Sequence, residues 1–302
     1  MRICSLLPGG TEIAYLLGLA DEIVGVTHEC DYPADAKLKR VVVRSTIDSS
    51  SLSSRDIDHK VSELLLAGQS LYAIDEQALR EAAPDLLLTQ GLCEVCALDY
   101  NEVVKVAARL APSPRIVSLN PHSLNDVLED IQRIGAVTGR PDQAEILALD
   151  LRRRIEQIAL REPQHRPRVV CLEWFEPLYI AGHWVPEMVA LAGGHDVLGR
   201  SGESSFKVDW QEIVDARPDV ILLMPCGFDT RRAVKESTSL RAMPGWSNLP
   251  AVKAGNVFAL NGNAYFSRPG PRLINGLEIL ARIIQPHGAT QSTPPTDVAK
   301  LN

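Results

Sequence analysis

The sequence predicts an α/β protein of two parallel-sheet lobes joined by a long helix. Three observations predict it. Short apolar runs alternate with helical segments through most of the chain, as parallel βαβ units with both sheet faces covered require. Residues 123–162 read as helix almost throughout. The second half also repeats the first in outline: TEIAYLLGLADEIVGV (11–26) parallels PEMVALAGGHDVLGRSG (186–202), and APDLLL (83–88) parallels RPDVILL (217–223). Two copies of one α/β unit is the economical account.

The elements follow in order. Arg2–Leu7 is a short apolar run that stops at Pro8-Gly9-Gly10, as a buried strand does. Thr11 offers an N-cap to a helix over Glu12–Leu19. Glu22–Thr27 is the next strand and delivers His28-Glu29-Cys30 at its end. Ser45–Ser54 reads as a Ser-rich loop, Arg55–Ala67 as a helix and Leu71–Ile74 as a short strand. Asp75 caps the helix Glu76–Ala83, and Pro84-Asp85 opens the strand Leu86–Thr89, which runs into Cys93-Glu-Val-Cys96. The helix Tyr100–Leu110 and the strand Arg115–Leu119 complete the first half. Gly139-Arg140-Pro141 divides the helical stretch, Pro141 occupying a first-turn position. The second of its helices, about 22 residues, would be about 33 Å long. After the polar break Glu162–Pro167, strands resume at Arg168–Leu172. The expected domains are 1–122 as the N-terminal lobe, 123–166 as a helical segment with the connecting helix, 167–286 as the C-terminal lobe and 287–302 as a disordered tail.

Composition narrows the function classes. The 302 residues are 45% hydrophobic and 23% charged, ordinary globular values, and suffice for two cores. A net charge of −7 without a Lys/Arg stripe argues against nucleic acid or an anionic membrane as partner. No apolar run approaches the roughly 18 residues of a membrane span. The N-terminal apolar run is too short for a secretion signal, and the six cysteines are irregularly spaced, so the expected compartment is the cytoplasm.

Open parallel sheets bind ligands at the carboxyl ends of their strands. The unusual residues of this chain fall there: His28, Cys30, Cys93 and Cys96 in the first half, Trp174, Cys226 and Phe228 in the second, with His183-Trp184 in a loop before Pro186. If the lobes face each other, these residues line one cleft. The sulfurs have four readings. Cysteine is a common small buried hydrophobe; a CxxC opening a helix can be a redox pair; the same spacing is half of a zinc or iron–sulfur site; or the thiols touch an organic or chelate ligand. Cys30, Cys93, Cys96 and Cys226 are the metal-ligand candidates. His28, Cys30, Trp174, His183, Trp184, Phe228 and Tyr265 are the ligand-contact candidates, the aromatic rings as flat walls for a large ring system. No nucleophile elbow, phosphate loop, HExxH or dinucleotide fingerprint is present, which favours a binding protein over an enzyme.

LLPGGTEIAYLLGLADEIVGVTHECDYP, WVPEMVALAGG and SRPGPRLINGLEILARII (267–284) together resemble the helical-backbone (class III) substrate-binding proteins of ABC transporters, in particular their vitamin B12-binding branch. The resemblance covers about residues 2–284. It implies two Rossmann-like lobes, a rigid connecting helix, and a corrinoid, siderophore, heme or metal ion held between the lobes. It also implies one glutamate per lobe docking transporter arginines, which falls on Glu12 and Glu187; as first-turn carboxylates both also fit helix-dipole stabilisation. THEC, GLCEVC, AGHWVPE and MPCGF resemble an intracellular subgroup described as cobalamin-binding. The expectation is therefore a cytoplasmic binding protein for a corrinoid such as cobalamin, or another metal-bearing ligand. The alternative is a metalloprotein or redox enzyme with a Cys-ligated zinc or iron–sulfur site and Glu94 or Glu173 as acid/base. Transporter docking is not expected without export.

Overall fold

Two sheets organise the chain, one in each of two units, in a computed structural model that describes residues 1–91, 98–163, 165–286 and 297–301. The first unit takes Met1–Leu52, Asp56–Pro121 and Asn125–Asp150; the second takes Ser53–Arg55, His122–Leu124 and Leu151–Asn302. The division thus falls within the helix Pro141–Ala159, at 19 residues slightly shorter than expected. Most of the helix Leu124–Thr138 goes with the first unit rather than with a separate helical segment. A run of helical residues carries no mark of which core its apolar face will join, so sequence could not place that boundary.

The first unit holds β1 (Ile3–Ser5), β2 (Ile23–Thr27), β3 (Val41–Ser45), β4 (Tyr72–Ile74), β5 (Leu86–Thr89) and β6 (Arg115–Ser118), ordered β4-β3-β2-β1-β5-β6. All neighbours are parallel except β4, which closes the edge antiparallel to β3. The sequence reading leaves β3 unassigned. β1 and β5 are buried along their whole length, which is why they read as unbroken apolar runs. The register pairs Cys4 with Gly25, where a Cβ would stand 2.6 Å from Cys4 Sγ; the glycine makes room for the sulfur. The first helix begins at Pro8, not after Pro-Gly-Gly as expected. Proline is favoured at the first helical position, so the tripeptide that ends β1 also starts the helix. Thr11 then lies inside the helix instead of capping it.

The second unit holds β7 (Arg168–Phe175), β8 (Leu178–Ile180), β9 (His195–Asp196), β10 (Phe206–Lys207), β11 (Val220–Leu223), β12 (Val257–Leu260) and β13 (Val298–Leu301). Their order is β10-β8-β7-β11-β12-β13, with β9 alongside the start of β7. β7, β11 and β12 form the parallel centre over a core that includes Val170, Leu172, Ile221 and Leu223. β8, β10 and β13 are antiparallel additions. β13 corrects the expected disordered tail over residues 298–301: it pairs with β12, Leu301 opposite Val257, and Leu301 is 7% exposed. Four residues of VAKL are too few to show a period beside a polar, Pro-rich stretch.

The repeat seen in sequence is a repeat of structure. Arg2 donates its backbone N–H to Asp85 Oδ2 at 2.7 Å and its Nε–H to the Ala82 carbonyl at 2.8 Å. Arg168 does the same with Asp219 Oδ2 at 2.9 Å and the Ala216 carbonyl at 3.0 Å. In each unit the arginine opening the strand caps the carboxyl end of the helix before the neighbouring strand, where a cation meets the helix dipole. Each of these helices stops at a left-handed residue, Ala83 (φ 40°) or Arg217 (φ 45°), followed by Pro-Asp. Among the described residues no helix is long and apolar enough to cross a membrane.

Candidate functional site

In the second unit, β7, β11 and β12 end beside one another and bring four of the predicted contacts to that end. Trp174, near the end of β7, packs its ring on Phe228 with centroids 5.1 Å apart and planes tilted by 54°. Phe228 follows β11 and is 2% exposed. Its other contact is the Arg232 guanidinium, 3.8 Å from the ring centroid, a cation–π arrangement. The Trp174 indole N–H donates to the Ser54 carbonyl at 3.1 Å, and Ser54 in turn donates its N–H and hydroxyl to Glu236 Oε2. Burial pulls the Arg232 pKa down, while Glu236 and Asp229 push it back up. Cys226 is half-buried, with its N–H on the Glu173 carbonyl at 3.0 Å. The Glu173 carboxylate accepts from the Ser205 hydroxyl at 2.9 Å, and the same hydroxyl accepts the Gly182 N–H. After β12, Tyr265 donates its hydroxyl to Asp297 Oδ2 at 3.0 Å, so the chain just before β13 fixes this ring.

Gly182 leads into the histidine–tryptophan pair. A Cβ on Gly182 would stand 2.4 Å from the Glu203 carbonyl oxygen, so only glycine fits there. His183 is left-handed at φ 53°, its N–H bonded to the Glu203 carbonyl and its carbonyl to the Gly202 N–H. Its ring stacks on Trp184 at 5.5 Å and lies 6.2 Å from the His122 ring. Burial, and secondarily His122, lower the His183 pKa and so favour the neutral imidazole. Trp184 is 4% exposed and donates its indole N–H to the Phe266 carbonyl at 2.8 Å; it backs the histidine from within the core.

In the first unit, His28 and Cys30 follow β2. His28 Nε2 lies 3.4 Å from Glu29 Oε1, and its ring is 6.2 Å from Tyr72. Cys30 is 2% exposed; its Sγ accepts from the Thr11 hydroxyl at 3.0 Å and lies 3.4 Å from that of Thr27. That is the environment of a packed, hydrogen-bonded thiol. Cys93 and Cys96, with Glu94, lie outside the described residues. Among the described residues no three His, Cys, Asp or Glu side chains group as a metal site. Glu12 is 2% exposed within the first helix, and Glu187 Oε2 accepts the Leu124 N–H at 3.0 Å. Glu187 is half-buried.

Three contributors escaped the sequence reading: His122, Arg232 and Asp297. Each sits in or next to a loop with no motif around it. The Asp229-Thr230 helix start is the one local sign that Arg232 is held near the end of β11. A cavity of about 390 Å³ lies elsewhere, beside β9, lined by Arg166, Ala190, His195 and Asp196 among others, and holds none of the predicted contacts.

Parallel-centred sheets that gather aromatic and imidazole groups at their strand ends define a ligand-binding class of α/β protein. The chain belongs to the periplasmic binding protein family, whose model matches residues 3–264. It is 24% identical over 281 residues to the vitamin B12-binding protein of Vibrio cholerae, covering 92% of this chain and 86% of that one. Among solved structures, the periplasmic vitamin B12-binding protein BtuF of Vibrio cholerae has the same fold, with TM-score 0.69, 21% identity and 96% and 98% of the two chains covered. The periplasmic heme-binding protein RhuT from Roseiflexus sp. RS-1 matches with TM-score 0.71, 21% identity and 95% and 99% coverage.

Proposed function

We propose that this protein binds a metal-bearing macrocyclic chelate, a corrinoid of the cobalamin type in the first place, and that it acts by binding rather than by turnover. The observation that carries the reading is the Trp174–Phe228–Arg232 assembly at the carboxyl end of the second sheet. A half-buried indole, braced from behind by a buried ring, offers a flat apolar surface, and the guanidinium adds a charge for an acidic substituent. The relatives named for vitamin B12 and heme support a large, flat, metal-centred ligand. We place its action in the cytoplasm on the irregular spacing of its six cysteines, which suits a compartment where the redox poise is reducing. Cell fractionation tests that part.

Binding is tested by titrating the purified protein with hydroxocobalamin and, separately, with hemin, following absorbance and tryptophan fluorescence. Saturable one-to-one binding of either is expected, with Trp174→Ala weakening it about tenfold or more, the scale of a lost aromatic anchor. Failure of both compounds to bind at ~100 μM, a thermodynamic floor of about −5.5 kcal/mol, would remove the reading.

A further inference from the structure

β13 does more than cover a sheet edge. It runs antiparallel to β12, so its start, not its end, lies at the carboxyl end of β12, with Val298 opposite Leu260. Asp297, the residue before it, turns all three of its oxygens on the segment that follows β12. Its carbonyl accepts the Asn261 N–H at 3.2 Å. Its Oδ1 accepts the Asn261 side-chain amide at 3.0 Å, and its Oδ2 accepts the Tyr265 hydroxyl at 3.0 Å. Hydrogen bonds to a carboxylate are stronger than those between neutral groups. No local rule links Asp297 to Tyr265, since 32 residues separate them.

Asn261 passes this hold onward. Its Oδ1 accepts the Ala264 N–H at 2.9 Å and so caps the short helix Gly262–Tyr265. The backbone of that helix is gripped on two sides. A Cβ on Gly262 would collide with the Pro225 carbonyl oxygen just past β11. One on Gly276, in the helix Arg272–Ile284, would stand 2.5 Å from the Tyr265 carbonyl oxygen. The Asn263 N–H donates to the Phe228 carbonyl at 3.1 Å, which sets the short helix beside the ring that backs Trp174. Packing therefore fixes where Tyr265 starts. It leaves open how the half-buried side chain turns about its own two torsions. An aromatic side chain already held in its bound orientation loses no further freedom when a ligand arrives, and preorganisation of this kind raises affinity.

From this arrangement we infer that Asp297 is a positioning residue of the binding site: through the Tyr265 hydroxyl it presets the Tyr265 ring as a ligand contact beside the Trp174–Phe228 face, without touching the ligand itself. The inference rests on the chelate-binding reading above and deepens it. Trp174 and Phe228 supply contact area at the ends of β7 and β11, and the tie from the start of β13 adds a third ring at the end of β12 in a fixed orientation.

The test separates affinity from stability, with hydroxocobalamin and hemin as probes. Wild type should bind at least one of them. For that probe, Asp297→Ala should weaken binding about fivefold or more, the scale of a lost hydrogen bond. Tyr265→Phe keeps the ring and loses only the tie, so it should weaken binding to a similar degree. The double variant should bind no worse than Asp297→Ala alone, because both changes remove one interaction. Asp297→Asn keeps an acceptor oxygen and should recover most of the lost affinity. Arg168→Ala loosens the same unit from the opposite end of the sheet. It should lower the thermal midpoint at least as far as Asp297→Ala does, yet bind the probe as wild type does. If Asp297→Ala or Tyr265→Phe binds within about twofold of wild type, or if Arg168→Ala loses as much affinity as Asp297→Ala, the positioning role is wrong while chelate binding stands. If wild type binds neither probe, the chelate reading falls and takes this role with it.

Discussion

Changing Gly25 to alanine tests the register of the first sheet, because Gly25 faces Cys4 across the β1/β2 pair. An added Cβ would lie 2.6 Å from Cys4 Sγ and 3.0 Å from Val42 Cγ1, against an ordinary contact of about 3.5–4.0 Å. Cys4 is fully buried, so its sulfur has no open space to turn into. Overpacking of this kind costs about 1–3 kcal/mol, offset by about 0.5–1 kcal/mol for replacing glycine inside a strand. A net loss of about 1–2 kcal/mol is expected. Cys4→Ala alone should cost about 1–2 kcal/mol for the buried sulfur and the space it leaves. In the double variant the new methyl moves into that space, so the two losses should not add; the coupling should be about 1–2 kcal/mol. Urea unfolding followed by far-UV circular dichroism measures it. All four tryptophans (174, 184, 210 and 246) lie in the second unit, so their fluorescence serves as a control that should not register the changes if the units unfold separately. Additivity within about 0.5 kcal/mol would mean that the two side chains do not meet, and the β1/β2 register would be wrong.

Three further outcomes follow from the structure. Arg168→Ala removes two hydrogen bonds to the Ala216 carbonyl, at 3.0 and 2.8 Å, and should lower the stability of the second unit by about 1–2 kcal/mol in a tryptophan-monitored urea titration; no change would deny the capping role. Burial pushes the Asp130 carboxyl up to about 7 from 3.8, despite Arg133 at 3.2 Å. The folded state therefore keeps a proton that the unfolded state releases, and stability falls as pH rises from about 4 to about 7, by an amount on the order of 4 kcal/mol. Asp130→Asn should flatten that dependence and raise the urea midpoint at pH 8 more than at pH 5; equal effects at both would refute the shift. Ending the chain at residue 296 deletes β13, exposes the edge of β12 and removes the Asp297 partner of Tyr265. A lowered melting temperature is expected, with an increase in light scattering from the uncovered strand edge. An unchanged melting temperature would mean the strand does not form in solution.

Much of the fold was legible because local rules and burial agree over it. The unbroken apolar runs of β5 and β11 are buried on both faces, and Asp75 caps its helix by accepting the Ala78 N–H at 2.8 Å, as its position suggested. The repeated Pro-Asp marks equivalent places in the two units, each aspartate accepting the N–H of the arginine that opens the neighbouring strand. The first helix was misplaced by a few residues because Pro-Gly-Gly is a chain breaker by composition and a helix start by geometry.

The site was legible only in kind. That aromatic, imidazole and thiol groups follow the strands could be read from their order along the chain, because a parallel sheet puts every strand end of the same sense at one edge. Their division of labour could not. Cys30 is sealed among threonines, Trp184 is a core tryptophan behind a histidine, and Glu187 holds the N–H of a residue 63 positions away. The partners that matter most to the second unit, His122 beside His183 and Arg232 over Phe228, were decided by packing alone. Hydrophobic period and turn chemistry act over a few residues, and so are written locally. Which side chains meet across loops depends on how whole layers settle against each other, and only the folded chain holds that information.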